Sequence, residues 1–281
     1  MMTKLLLALN RLFPRPVHPL NLQTEGKKSY AMWQYEQGAT TIAFYRERYT
    51  TDEMFRDKVV LDVGCGAGGK TMYYASLGAE RVVGMDIVAH YKEDSEALAR
   101  ELGFTDKFEF VLGDAGHTGF PDNTFDTIIM NDAMEHVARP DEILAEARRI
   151  LKPGGRLYVN FPPIHHPFGA HLQDLIGIPW VHLLFSEATL VDAYKQLCEK
   201  VPDGADRVAF RISTNEQGKE YFSYINHMTI KWFHRLQAEC GMRTIYYREV
   251  PLRKFLKPLA KFPLTKEGFM KMVVCVFEKA D

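Results

Sequence analysis

Apolar and polar positions alternate in blocks along this chain, and the blocks read as strands and helices in turn. Val59, Val60, Leu61 and Val63 form a run suited to a strand buried on both faces, with Asp62 near its end. Lys70–Leu77 reads as a helix that Gly78 stops, and Arg81–Ile87 as a second strand ending at the acid Asp86. Tyr91–Leu102 reads as a helix stopped by Gly103, Phe108–Leu112 as a third strand, and Phe125–Asn131 as a fourth. In Pro140–Leu151 the apolar residues Ile143, Leu144, Ala147, Ile150 and Leu151 fall on one helical stripe. Pro140 suits the first turn, Asp141 and Glu142 face the positive end of the helix dipole, and Arg148 and Arg149 face the negative end. Lys152–Gly155 is expected to end that helix before a fifth strand, Arg156–Phe161.

Strand and helix thus alternate from Val59 to Phe161, which predicts an α/β fold on a parallel sheet. Further on, Tyr221–Cys240 has a helical pattern stopped by Gly241, and Arg243–Val250 and Met272–Glu278 read as strands. Upstream, Ser29–Tyr49 is helical with an aromatic stripe, and residues 12–28, with Pro14, Pro16 and Pro19, read as an irregular connector. The expected organisation is a helical cover at 1–50 and an α/β domain at 51–281 that carries a substrate-lid insertion at about 162–220.

Composition adds limits. The 281 residues are 46% apolar and 25% charged, with a net charge of −1, an ordinary globular profile with no global field for nucleic acid. Cys65, Cys198, Cys240 and Cys275 stand far apart, as expected of reduced thiols in a cytoplasmic protein. The apolar run Leu5–Leu9 is too short to span a bilayer and carries no small-residue cleavage site. It is expected to dock as an amphipathic helix on the domain or on a second copy in a homodimer, with membrane contact the minor reading.

The candidate chemistry begins at the first strand's end. A glycine cluster there lets the backbone turn tightly and approach a ligand. Gly64, Gly66 and Gly69 fit G-x-G-x-x-G, a dinucleotide fingerprint, and Asp62, Gly64, Gly66 and Gly68 fit D-x-G-x-G-x-G. Asp86 lies about 20 residues past the loop, the spacing of a carboxylate that accepts ribose hydroxyls. Asp114 again follows a strand end, the edge where doubly wound sheets bind ligands.

The D-x-G-x-G-x-G loop, Asn131-Asp132-Ala133-Met134-Glu135-His136-Val137 and Leu-Lys-Pro-Gly-Gly at 151–155 together resemble the class I S-adenosylmethionine-dependent methyltransferases, in their small-molecule, type 11-like branch. The resemblance covers about residues 59–161. It implies a Rossmann-like, seven-stranded, mostly parallel sheet with an antiparallel last strand and helices on both faces. It also implies S-adenosyl-L-methionine as cofactor, with methyl transfer to a small-molecule acceptor, oxygen preferred over nitrogen or carbon. Cofactor-binding residues would be Asp62, Gly64, Cys65, Gly66, Gly68, Asp86, Ile87, Asp114, Ala115 and Asn131, with Asp114 given the adenine amino group beside Ala115.

An acid-rich strand edge of Asp62, Asp86, Asp114 and Asp132 suits a sulfonium and an ammonium better than a diphosphate. An NAD-dependent oxidoreductase and a non-catalytic binding protein on the same fold remain alternatives. On the substrate side Tyr30, Trp33, His136 and His171 are candidates, His136 also as a structural or cofactor-facing residue. Four of the ten histidines fall between 165 and 182. His165 and His166 are the candidate general base, against a packing role. A metal site from His165, His166, His171 and Asp174 matches no standard zinc spacing, so no metal is expected. The segment 252–262 mixes basic and apolar residues and reads as a connector.

Overall fold

The computed structural model describes residues 1–280 apart from 16, 257, 259–261, 263 and 264. Part of the basic and apolar segment 252–262, and Pro16 of the connector, therefore lie outside the described residues. The main sheet joins β1 (Val59–Val63), β2 (Arg81–Asp86), β3 (Phe108–Leu112), β4 (Phe125–Asn131), β5 (Leu151–Phe161), β8 (Arg243–Pro251) and β9 (Met270–Glu278). Its order is β3-β2-β1-β4-β5-β9-β8. The first five strands are mutually parallel, and β9 lies antiparallel between β5 and β8. This is the expected seven-stranded Rossmann-like sheet. The order reverses between β1 and β4, which opens the crevice where such sheets take ligands.

Side chains alternate between two apolar layers, as the two-residue period of a strand requires. Leu61, Val83, Ile128, Leu157 and Cys275 face one layer with α7 (Pro140–Ile150) and α11 (Ile230–Glu239). Val60, Val82, Ile129, Tyr158 and Val274 face the other, with α4 (Thr51–Phe55), α5 (Gly69–Ser76) and the end of α3 (Tyr30–Ile42). Helix α6 (Tyr91–Leu102) packs with α3 and α5 around Ala67 and Met72.

Three expectations are corrected. Helix α7 ends at Ile150 and the strand begins at once. Leu151 pairs with Phe125 and the next pairing is Arg156 with Thr127, so Lys152–Gly155 is a bulge within β5 rather than a connector. The helix expected from Tyr221 starts at Ile230, where the Thr229 hydroxyl accepts from Trp232 N–H. Residues before it form a hairpin, β6 (Ile212–Thr214) with β7 (Glu220–Phe222), closed by Asn215–Gly218. The 12–28 connector contains a short helix, α2 (Pro19–Thr24), capped by the His18 ring.

The insertion holds α8 (Val181–Leu184), α9 (Glu187–Cys198) and α10 (Gly204–Arg211) around its own apolar cluster. Helix α1 (Met2–Asn10) joins that cluster through fully buried Leu6. Its centre is ionic: buried Asp174 receives Arg207 at 3.1 Å, Arg211 at 2.5 Å and the Tyr194 hydroxyl at 2.8 Å. No described helix is long and apolar enough to cross a membrane.

Candidate functional site

Strand β1 delivers its chain to a loop in which Gly64, Gly66 and Gly68 have φ of 70°, 55° and 75°. Gly64 and Cys65 N–H both donate to Met85 O, at 2.9 and 3.1 Å, which ties the loop to the end of β2. One residue on, Asp86 fixes it further: Oδ2 accepts from Gly66 N–H at 2.8 Å and Oδ1 from Val88 N–H at 3.0 Å. Two bonds leave lone pairs on both oxygens for a ligand. Burial pushes the Asp86 carboxyl up, and the loop N–H groups oppose that.

Helix α3 lies across the loop. A Cβ on Gly69 would come within 1.9 Å of Ala31 O, so only glycine admits this crossing. Gln34, buried, donates to Cys65 O and accepts from Gly69 N–H, both at 3.3 Å. Gly69 is the first residue of α5, where a dinucleotide would place its diphosphate. That donor is already taken, which argues against the dinucleotide reading of the glycine spacing. Tyr30 reaches the loop, 3.4 Å from where a Cβ on Gly66 would stand, and its ring lies 6.4 Å from Trp33 and 5.9 Å from Tyr91.

Asp86, Ile87, Asp114 and Ala115 meet at the carboxyl edge of β2 and β3. Asp86 pairs in register with Leu112, and Ile87 and Leu112 are 76% and 55% exposed. Two exposed apolar side chains between two carboxylates suit a flat ring system carrying hydroxyl and amino groups. Asp114 is exposed, with Oδ1 accepting from Gly116 N–H at 2.8 Å. Ala115 packs against the core cluster below.

Other candidates sit beneath this surface. Asp62 is 3% exposed and accepts from the Thr71 hydroxyl at 2.6 Å, with burial pushing its carboxyl up to about 6. Its bond is to α5, so it braces the loop from below. The Cys65 side chain is also buried, and the residue offers the loop its backbone. The Asn131 amide is held on both sides: Oδ1 accepts from Tyr45 at 2.7 Å and Asn160 at 2.6 Å, and Nδ2 donates to Tyr74 at 3.0 Å. The side chain is buried at 4% exposure, so its bonds serve the core around β4 and β5. The acid-rich edge is thinner than expected, because Asp62 is buried and Asp132 pairs with Lys70 at 2.9 Å.

The histidines divide into two groups. His165 Nδ1 meets Glu267 at 2.5 Å, and His166 Nδ1 accepts from Phe168 N–H at 3.1 Å. Neither has a hydrogen bond, ion pair or ring contact with the glycine loop, Asp86 or Asp132 among the described residues. Asp174 is held by arginines, so the set His165, His166, His171 and Asp174 does not converge. His171 turns instead toward His136, with ring centroids 4.7 Å apart, and both Nε2 atoms lie 3.8 Å from Glu135 Oε1.

This second group was only half visible in sequence. His136 Nδ1 lies 2.8 Å from Tyr224 O; a carbonyl only accepts, so Nδ1 carries the proton and Nε2 keeps its lone pair. Burial holds the ring neutral, with its pKa pushed down to about 4, and holds His171 neutral too. Asn226 clamps the turn from beneath, donating to Met134 O and Val137 O at 2.8 Å each. Nothing in the helical pattern expected at 221–240 pointed to Asn226 or Tyr224. Glu135 is 4% exposed, and neither carboxylate oxygen has a hydrogen-bond partner.

The methyltransferase-domain family model matches residues 61–159, the span from β1 to β5. The chain is 31% identical over 193 residues to the ubiquinone/menaquinone biosynthesis C-methyltransferase UbiE of Escherichia coli O1:K1 / APEC, across 64% of this chain and 74% of that protein. It is 38% identical over 96 residues to a sterol 24-C-methyltransferase of Gibberella zeae, across 34% of this chain and 25% of that protein. The chain spans between 25% and 49% of the length of the first curated relatives it matches. Its fold is similar to that of an S-adenosylmethionine-dependent methyltransferase structure from Methanosarcina mazei, with a TM-score of 0.53 and 21% identity over 85% of this chain and 97% of that one. The chain belongs to the class I S-adenosylmethionine-dependent methyltransferases.

Proposed function

We propose that this protein binds S-adenosylmethionine at the β1–β2–β3 edge and methylates a small, largely apolar acceptor. The observation that carries the reading is the Asp86 carboxylate, locked to Gly66 N–H at 2.8 Å and flanked by exposed Ile87 and Leu112. Asp86 would hold the ribose hydroxyls, Ile87 and Leu112 the adenine faces, and Asp114 with the Ala115 backbone the adenine edge. The backbone of Gly64, Gly66 and Asn131 lines the remainder, and Asp62, Cys65 and Gly68 support the loop. When bound, the cofactor supplies a methyl group on a positively charged sulfur, which leaves as a neutral thioether.

The insertion supplies the acceptor's side. It borders a cavity of about 380 Å³ whose lining sets apolar side chains, among them Ala170, Leu190 and Ile225, beside His165, His182, His227, Thr229 and Glu187. That volume is of ligand size. Ala170 and Ile225 of its lining are the sequence neighbours of His171 and Tyr224, which supports placing the acceptor's reactive end toward the Glu135–His136–His171 trio. An acceptor with its apolar body in the cavity would direct its hydroxyl to that trio, which takes the proton as the oxygen attacks. This moves the base role from His165 and His166 to the trio, and leaves Tyr30 and Trp33 as the cover.

Oxygen is the proposed acceptor atom. Removing a ring hydroxyl's proton also enriches the neighbouring ring carbons, the atom type named in the two relatives. Most of the acceleration comes from holding the nucleophile in line with the methyl. The test is incubation with methyl-labelled cofactor and a panel of hydroxylated aromatic and isoprenoid compounds, with NMR of any labelled product. A methyl ether is expected; label on carbon corrects the atom, and no labelled product from any compound counts against the small-molecule reading.

A further inference from the structure

Glu135 is buried to 96%, yet neither carboxylate oxygen meets a donor. A buried carboxylate without a partner is costly, and such groups are retained where something pairs with them. The nearby cations are already committed: Lys70 Nζ sits on Asp132 at 2.9 Å, and Arg211 on Asp174 and the Tyr194 hydroxyl. What faces Glu135 is two imidazoles. His136 Nε2 and His171 Nε2 each lie 3.8 Å from Oε1, too far for a hydrogen bond.

One ligating atom from each of the three residues lies within 4.8 Å of the others. Ligand atoms on bonds of about 2.1 Å around a tetrahedral cation stand about 3.4 Å apart, so each carboxylate–imidazole separation of 3.8 Å would close by about 0.4 Å. The remaining pair, within 4.8 Å of each other, would close by at most about 1.4 Å to reach the same separation. The outer partners are also in place. His136 gives its Nδ1 proton to Tyr224 O at 2.8 Å, which fixes the tautomer that leaves Nε2 free to ligate.

We propose that Glu135, His136 and His171 form a binding site for one divalent transition-metal cation of the zinc, manganese or ferrous class. Two imidazoles and one carboxylate suit that class better than calcium or magnesium, which prefer all-oxygen sets. Three protein ligands leave coordination positions open, as in sites that receive a further ligand. Those positions would take the acceptor's hydroxyl oxygen, and the cation would lower its pKa so that the proton passes to water, in place of direct transfer to the trio; this part rests on the methyltransferase reading above. The proposal revises the sequence expectation of no metal: the spacing of the 165–174 histidines hid a ligand set shared between the β4 turn and the insertion.

The test uses untagged protein stripped with a chelator and titrated calorimetrically with Zn²⁺ and, separately, Mn²⁺. One equivalent should bind to the wild type. Glu135→Gln and His171→Ala should each weaken binding at least tenfold while affinity for S-adenosylhomocysteine stays within twofold. Glu135→Gln preserves shape, and without metal its thermal midpoint should be no lower than the wild type's. Absence of metal binding in the wild type, or unchanged affinity in both variants, would overturn the site. Metal binding with the expected variant losses supports the site even if no compound is ever methylated. A catechol probe, 4-nitrocatechol, should shift its absorbance with metal-loaded wild type only; no shift on loaded protein would overturn the open-position role.

Discussion

Asp86 Oδ2 accepts the Gly66 backbone N–H at 2.8 Å, and this bond joins the end of β2 to the middle of the glycine loop. The carboxylate is therefore both a structural brace and the loop's nearest acceptor group. The consequences of this arrangement, and of the packing around it, can be measured separately.

The α3–α5 crossing has no room for a methyl group at Gly69, where a Cβ would stand 1.9 Å from Ala31 O. Gly69→Ala should cost about 2 kcal/mol, the order of an overpacked core, in urea unfolding. Gly103→Asn is the control. Its φ is 74° with nothing within 4 Å, and asparagine tolerates that conformation, so the cost should stay below about 1 kcal/mol. Equal losses in the two variants would contradict the crossing.

Asp174 pairs with Arg207 and Arg211, all three buried, and Asp203 gives Arg207 a second carboxylate at 2.9 Å. Removing Asp174 leaves buried Arg211 without its carboxylate, which costs about 3–5 kcal/mol in comparable networks. Asp174→Ala should therefore loosen the insertion, seen as faster proteolysis within 162–220. A cleavage pattern identical to the wild type's would show that the network does not hold it.

The pH dependence follows from buried histidines. Burial pushes the pKa of both His18 and His166 down to about 4. Between pH 6.5 and 4 the unfolded chain gains protons that the folded chain refuses, so stability falls with pH, by at most about 3 kcal/mol per histidine. Asp62 works the other way. Its pKa is raised to about 6, so the fold gains from it as pH falls from 6 toward 3.8. His18 lies near Asp174, Arg207 and Arg211, and Asp174 partly offsets the burial. The melting temperature should drop from pH 7 to 4.5, His18→Gln should flatten the drop, and Asp62→Asn should steepen it. A melting temperature that rises on acidification would contradict the assignment.

The sheet was legible because both its faces are buried, which left near-continuous apolar runs such as Val59–Val63 and Phe125–Asn131 with clear ends. Boundaries failed where a tertiary contact overrode the local pattern. Lys152–Gly155 reads as a terminator, yet β4 and β9 hold it as a bulge in β5. Residues 221–229 carry helix-compatible spacing, yet pairing with Ile212–Thr214 and the Asn226 clamp keep them extended or turned. The acidic positions Asp86 and Asp114 were legible because they follow strand ends at fixed spacing, and their role toward the cofactor is the proposal made above. The Glu135–His136–His171 cluster was not, because its members stand 35 residues apart and only the fold of the insertion brings His171 back to β4. A histidine-rich stretch drew the eye to His165 and His166, whose partners prove to be Glu267 and the Phe168 backbone.

The most direct test is calorimetric titration of wild type and Asp86→Ala with S-adenosylmethionine, S-adenosylhomocysteine and NAD. Wild type should bind the first two and not NAD. Asp86→Ala should lose roughly ten- to a hundredfold in affinity, the equivalent of about 1.5–3 kcal/mol for hydrogen bonds to a charged group. Binding of NAD alone, or undiminished S-adenosylhomocysteine affinity in the variant, would contradict the account.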